Sequence, residues 1–208
     1  MTGLFITMEG VEGCGKSTQT ELLRQYLADQ GREVIVTREP GGTPIAEAIR
    51  ALLLDPENRD MGPVAELLLY EAARAQHVDE RIRPALAAGA VVLSDRFADS
   101  TTAYQGAGRC LDRDVIRELH QIATRGVWPQ LTIVIDIPAD EGLRRVSLLG
   151  PGDRIEREQL AFHERVRAGF LEIAAQEPER VRVVDGARAP EEIAGDIRAL
   201  VASLLGEP

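Results

Sequence analysis

Apolar residues recur along the chain in two rhythms. Short, nearly unbroken runs occur at Leu4–Glu9 (LFITME), 33–38 (EVIVTR), 90–93 (AVVL), 131–137 (LTIVIDI) and 181–184 (VRVV). Such runs read as strands covered on both faces. Between them the spacing turns helical. Leu22, Leu23, Tyr26 and Leu27 mark one face of a helix from Ser17 to near Gly31, and Thr43 is placed to cap a helix carrying Ile45, Ile49, Leu52 and Leu53. Pro63 opens a longer helical stretch through Leu67, Leu68 and Arg74, with Pro84 near its end. Asp112 can cap a helix with Val115, Ile116, Leu119 and Ile122 on one side, and a closing helix repeats Ile193, Ile197, Leu200, Val201 and Leu204. Strands alternating with helices predict an α/β fold, a parallel five-stranded sheet with helices on both faces. No repeat or low-complexity tract interrupts it, and Gly150-Pro151-Gly152 is the one interior spot built to bend.

The first strand runs into Gly10-Val11-Glu12-Gly13-Cys14-Gly15-Lys16-Ser17, which fits G-x-x-x-x-G-K-[ST] without a mismatch and in the required strand–loop–helix context. Glycines let successive backbone N–H groups turn inward onto phosphate oxygens, and the helix N-terminus adds partial positive charge. Lys16 then reaches the β- and γ-phosphates, and the Ser17 hydroxyl ligates Mg²⁺. The candidate ATP-binding stretch is therefore Gly10, Val11, Glu12, Gly13, Cys14, Gly15, Lys16, Ser17 and Thr18.

Composition sharpens this. Of the 24 basic residues, Lys16 is the one lysine and the other 23 are arginine. The exception stands where a compact ammonium fits and a planar guanidinium does not. With its only lysine spent there, the chain lacks the Asn/Thr-Lys-x-Asp guanine reader of signalling GTPases. The run 91–95 (VVLSD) has the shape of a Walker B strand, with Asp95 placed to hold Mg²⁺, and Arg96 beside it can grip a second, acceptor phosphate. A net charge of −10 argues against nucleic acid or anionic membrane as partners. Two cysteines, no basic leader and no uncharged run of about 20 residues argue for a cytoplasmic protein. Cys14 reads as a small filler in the loop, and His77, His120 and His163 form no metal-ligand spacing, so no chemistry is assigned to them.

Further segments bring a specific resemblance. Thr37-Arg38-Glu39-Pro40-Gly41-Gly42-Thr43, Ala72-Ala73-Arg74, Asp95-Arg96, Ala103-Tyr104-Gln105-Gly106 and Asp153-Arg154-Ile155-Glu156 occur in the order and spacing of bacterial thymidylate kinases. The chain resembles that family over essentially its whole length. The resemblance implies one domain, residues 1–208, with a phosphate loop at 10–17 and a small mobile lid at about 144–156. It implies phosphorylation of dTMP to dTDP with Mg²⁺-ATP, in dTTP biosynthesis, by a homodimer. By the same resemblance Arg38 and Arg96 orient the acceptor phosphate, Glu39 organises that pocket, and Arg50 and Arg74 reach the base edge and phosphate side. Tyr70 stands where a phenylalanine usually stacks on the base. Ser100, Thr101 and Gln105 read the base, Tyr104 lies against the deoxyribose, and Glu12 faces the sugar 3′-hydroxyl. Catalysis falls to Lys16, Arg96, Asp95, Glu12 and a lid arginine, Arg154 before Arg145, with Ser17 and Asp95 on the metal. The alternatives are a kinase for another pyrimidine mononucleotide and a non-catalytic ATP-binding switch.

Overall fold

A computed structural model describes residues 3–206. Five strands, β1 (Leu4–Glu9), β2 (Val34–Arg38), β3 (Val91–Asp95), β4 (Leu131–Asp136) and β5 (Val181–Asp185), form one sheet in the order β2-β3-β1-β4-β5. All four pairings are parallel, so the expected α/β architecture is what the chain adopts. The central strands are buried along nearly their whole length, which is why they are unbroken apolar runs.

Helix α1 (Lys16–Asp29) follows β1 and buries Leu23 and Leu27, while α2 (Pro44–Leu54) begins at Thr43, whose hydroxyl accepts the Ala46 N–H at 3.4 Å. The long stretch opened by Pro63 is α3 (Pro63–His77), a wide π-helical turn (Val78–Ile82) and α4 (Arg83–Ala87). Asp112 caps α6 (Arg113–Thr124), accepting from the Asp114 N–H at 2.7 Å. The face that α6 buries, however, is Ile116, His120 and Ala123, leaving Val115 and Ile122 exposed. The closing helix is α9 (Pro190–Leu205).

Three helices were not anticipated from the pattern. After β3 the chain makes one short turn, α5 (Ala98–Thr101), which widens into a π-helical turn over Thr102–Gly108. Helix α7 (Ala139–Ser147) and helix α8 (Leu160–Gln176) bracket the bendable Gly150-Pro151-Gly152. Helix α8 packs against the 102–108 turn through small residues: a Cβ on Gly169 would meet Ala107 Cβ at 2.8 Å. Two cores lie on the two faces of the sheet, the larger under α1, α8 and α9 and the smaller around Phe5, Val92 and Phe97. The loops at the C-terminal ends of β1, β2 and β3 thus share one edge, where ligands bind in open parallel sheets.

Candidate active site

The loop after β1 carries the glycines, and α1 starts at Lys16 directly behind a left-handed Gly15 (φ 98°). Lys16 is buried. Its ammonium donates to the carbonyls of Val11 (2.9 Å) and Gly10 (3.3 Å) and lies 3.5 Å from Cys14 Sγ. Cys14 is itself buried, as a filler should be. Ser17 and Thr18 face solvent, and the Ser17 hydroxyl donates to Asp95 Oδ2 at 3.2 Å. A hydroxyl and a carboxylate converging at the loop are hard oxygen donors, which fits Mg²⁺ completed by phosphate and water.

Helix α7 meets this loop backbone to backbone. A Cβ on Gly142 would come within 2.2 Å of Glu12 O, and one on Gly13 within 2.4 Å of Gly142 O. That contact brings Arg145 onto the loop, where its guanidinium donates to Gly13 O (3.3 Å) and pairs with Glu141 (2.9 Å).

Beside the loop lies a cleft of about 230 Å³. All ten acceptor-side residues expected from the sequence line it: Arg38, Glu39, Arg50, Tyr70, Arg74, Arg96, Ser100, Thr101, Tyr104 and Gln105. Lys16, Glu12 and Asp95 line the same cleft, as do Asp153, Ile155 and Glu156 from the lid segment. One cavity therefore joins the loop to the arginine cluster.

Each arginine is held differently. Arg96 sits in the left-handed region (φ 73°), costly for a side-chain-bearing residue. That turn points its guanidinium at Gly10 O (3.0 Å), Ser100 Oγ (3.1 Å) and Glu12 Oε1 (3.3 Å), over the ring of Tyr104. Arg74 is fully buried and donates to Glu39 (2.8 Å), Glu71 (2.5 Å), Phe97 O (3.1 Å) and Thr101 (2.9 Å). Four of its five N–H groups are thus engaged. Arg38 is exposed and pairs with Glu47 (2.9 Å), and Arg50 donates to Pro40 O (2.9 Å).

Arg154, the first expectation for the lid arginine, is anchored on the acceptor side. It does not reach the phosphate loop: its Nε donates to Leu53 O (2.7 Å) and its NH1 pairs with Glu66 (2.6 Å). Glu66 has no exposed surface, and it also takes the Gln105 amide (2.8 Å) and Arg109 (3.0 Å). A carboxylate this deep demands cations, and Arg154 answers it. Burial pushes Glu66 up, but Arg109, Gln105 and Arg154 outweigh it and hold it below the usual range. The lid arginine that touches the loop is Arg145.

The histidines are the residues that sequence reasoning missed. His77 Nδ1 bonds Glu39 Oε1 at 2.9 Å and its Nε2 meets Thr37 Oγ1 at 2.6 Å. A Cβ on Gly42 would strike both at 2.6–2.7 Å, so only glycine admits that pair. His120 lies 3.0 Å from Glu71, and His163 bonds Glu12 at 3.2 Å. His77 and His163 back carboxylates that line the cleft, and His120 backs Glu71, which holds Arg74, a pattern without fixed spacing and therefore invisible in the sequence. Glu9 was missed too. Fully buried, it accepts from Phe97 N–H (2.7 Å) and the Ser100 hydroxyl (2.5 Å). Burial, helped by Asp99, pushes it up to about 8, so near neutrality it holds a proton.

Comparison with known proteins places the chain. The thymidylate kinase family model matches residues 8–197. The chain is 53% identical over 211 residues to the thymidylate kinase of Geotalea uraniireducens and 52% over 212 residues to that of Nitratidesulfovibrio vulgaris, each match covering 99% of both chains. The crystal structure of thymidylate kinase from Ehrlichia chaffeensis superposes with a TM-score of 0.79 at 33% identity, over 97% of this chain and 99% of that one.

Proposed function

The chain belongs to the thymidylate kinase family, and from that premise we propose how its own residues share the transfer of a phosphoryl group from ATP to dTMP. The observation that carries the reading is the single cleft that the phosphate loop and the arginine cluster line together. Phosphoryl transfer leaves a protein little covalent work beyond aligning donor and acceptor and neutralising developing charge.

ATP takes the loop at 10–18, its β- and γ-phosphates against the N–H groups and Lys16, which exchanges the Val11 and Gly10 carbonyls for phosphate. Ser17 and Asp95 would hold Mg²⁺, which would supply positive charge to offset that of the phosphates. dTMP lies in the cleft with its phosphate toward Arg38 and Arg96. Its base lies between Tyr70 and the Arg74–Thr101–Gln105 side, and its sugar against Tyr104 and Glu12. Gln105 donates its amide to Glu66, which leaves its carbonyl oxygen to accept a base N–H. The segment 144–156 closes as a lid and excludes water, without which ATP would hydrolyse.

Within that lid, Arg145 is the charge-stabilising arginine and Arg154 a support of the acceptor pocket. Arg145→Ala is expected to lower kcat by about a hundredfold, the scale of losing one transition-state donor, with little change in KM for dTMP. Arg154→Ala is expected to raise KM for dTMP instead, because Gln105 and Glu66 lose their support. Steady-state kinetics of both variants separate the two roles, and a kcat loss confined to Arg154→Ala would reverse them.

Helices α2, α3 and α6 pack side by side and leave Leu52, Val64, Leu68, Val115 and Ile122 exposed. That much apolar surface on one set of helices supports a homodimer, which light scattering would report as twice 22.7 kDa. No helix among the described residues is long and apolar enough to cross a membrane. The free, exposed thiol of Cys110 supports a reducing, cytoplasmic setting.

A further inference from the structure

Glu12 is the one acidic side chain that the phosphate loop itself aims into the cleft. An ionised carboxylate offers about four lone-pair positions. Two on Oε1 are taken, by the Tyr104 hydroxyl (2.6 Å) and by Arg96 (3.3 Å). On Oε2 the one donor among the described residues is His163 Nδ1, at 3.2 Å. One lone pair of Oε2 remains to accept a hydroxyl from a ligand. Burial would push Glu12 up, but His163, Arg96, Lys16 and Tyr104 together bring it to about 2, so it stays an acceptor throughout the working range.

His163 holds neither nucleotide in the proposed mechanism, yet its environment is constrained. The ring is fully buried on α8, edge-on to Phe162 at 5.2 Å, and its Nε2 has no hydrogen-bond partner among the described residues. With Nδ1 facing a carboxylate, the proton belongs on Nδ1, and Nε2 bears the cost of an unsatisfied buried acceptor. A buried polar atom left unpaired calls for a reason. Its ring partner offers one, because the other nitrogen fixes the direction of Glu12 Oε2.

We propose that His163 is a positioning residue for acceptor recognition: its Nδ1–H locks the Glu12 carboxylate so that the free lone pair of Oε2 meets the 3′-hydroxyl of the nucleotide sugar. The proposal rests on the assignment of Glu12 to that hydroxyl. Without the lock, Arg96 and Tyr104 hold only Oε1, and the carboxylate is free to swing Oε2 away. Helix α8 begins just beyond the lid segment, so the lock also ties the lid's far anchor to the phosphate loop.

The experiment compares dTMP with its 3′-deoxy counterpart as acceptors for the wild type, Glu12→Gln, His163→Leu and His163→Asn. His163→Leu is expected to lower kcat/KM for dTMP about tenfold, chiefly through KM, and to leave the 3′-deoxy acceptor nearly unchanged, the scale of one hydrogen bond to a charged group. His163→Asn is expected to recover most of that loss, because its side-chain nitrogen, like Nδ1, is bonded to Cγ. Should the leucine variant fail to fold in thermal melting, His163→Gln, with its nitrogen one bond further out, takes its place with the same loss expected. An equal loss for both acceptors, or no recovery by asparagine, overturns the positioning role and leaves a packing role. If Glu12→Gln does not erode the preference for the 3′-hydroxyl, the sugar assignment of Glu12 falls and the proposal falls with it. If Glu12→Gln erodes it and His163→Leu does not, the role of His163 alone is overturned.

Discussion

Lys16→Ala is expected to lower kcat by about a thousandfold, the upper range for removing one preorganised charge from a transition state, while the protein stays folded. The folded structure loses little because the loop does not depend on the ammonium. Gly10 O, one of its acceptors, also receives Arg96 NH1 at 3.0 Å, and the loop is braced against Gly142 from the other side. A stability loss of about 1–2 kcal/mol, for a charged donor to two carbonyls, is the expected scale. That corresponds to a melting shift of a few degrees, at roughly 2–4 °C per kcal/mol for a chain of this size. Lys16→Arg carries the sharper message. Every other basic residue here is arginine, so if charge alone sufficed this position would tolerate it. The ammonium is buried between two carbonyls and a thiol, where a planar fork does not fit, and the arginine variant is expected to be nearly as inactive as alanine. Turnover close to wild type in either variant, measured as coupled ADP release, would remove Lys16 from the mechanism.

The second large effect is on folding. Arg74→Leu is expected to cost about 3–5 kcal/mol, because it strands two buried carboxylates, Glu39 and Glu71, that now share one guanidinium. Phe97 O and the Thr101 hydroxyl lose their donor as well. The deficit has a pH signature. In the wild type burial pushes Glu71 up, but Arg74 and His120 outweigh it and hold its pKa low, so its contribution is present above the unfolded carboxylate value and lost as pH falls. Without Arg74 the burial influence prevails, the folded form binds a proton that the unfolded form has released, and stability falls as pH rises. The variant's deficit in chemical denaturation is therefore expected to be larger at pH 8 than at pH 5. A deficit that is flat or reversed across that range would show that Glu71 is not the stranded charge. Arg74→Lys should recover little, since a single ammonium cannot serve four acceptors in a planar fan.

Much of this was legible because it is local. The phosphate loop is a contiguous motif whose function needs consecutive N–H groups, and the strands are contiguous because burial on both faces leaves no polar positions. The ten residues that the resemblance names for the acceptor line one cleft. The illegible part is long-range. His77 meets Glu39 across 38 positions, Arg154 meets Glu66 across 88 and His163 meets Glu12 across 151. No spacing rule reaches that far. The anchoring of Arg154 has the same root: its pairing with Glu66 ties the lid segment to a buried carboxylate that no local motif announces. On α6 the apolar stripe was visible, but the sequence alone does not say that Val115 and Ile122 face outward while His120 faces the core. Helix α8 carries a helical period in Phe162, Val166, Phe170 and Ile173, but its buried face also holds His163 and Gly169, which break the apolar stripe.

In the proposed mechanism two phosphates face each other across one cleft, the donor's on glycine amides and Lys16, the acceptor's on Arg38 and Arg96. ADP release from the purified chain, measured with dTMP, UMP, CMP, AMP and thymidine in turn, tests it most directly. The expected result is a kcat/KM for dTMP at least about a hundredfold above every other acceptor, the range that a pocket built on buried hydrogen bonds can enforce, with negligible release when no acceptor is present. Equal turnover of thymidine, which has no phosphate for the arginines to hold, or ADP release that ignores the acceptor altogether, would contradict it.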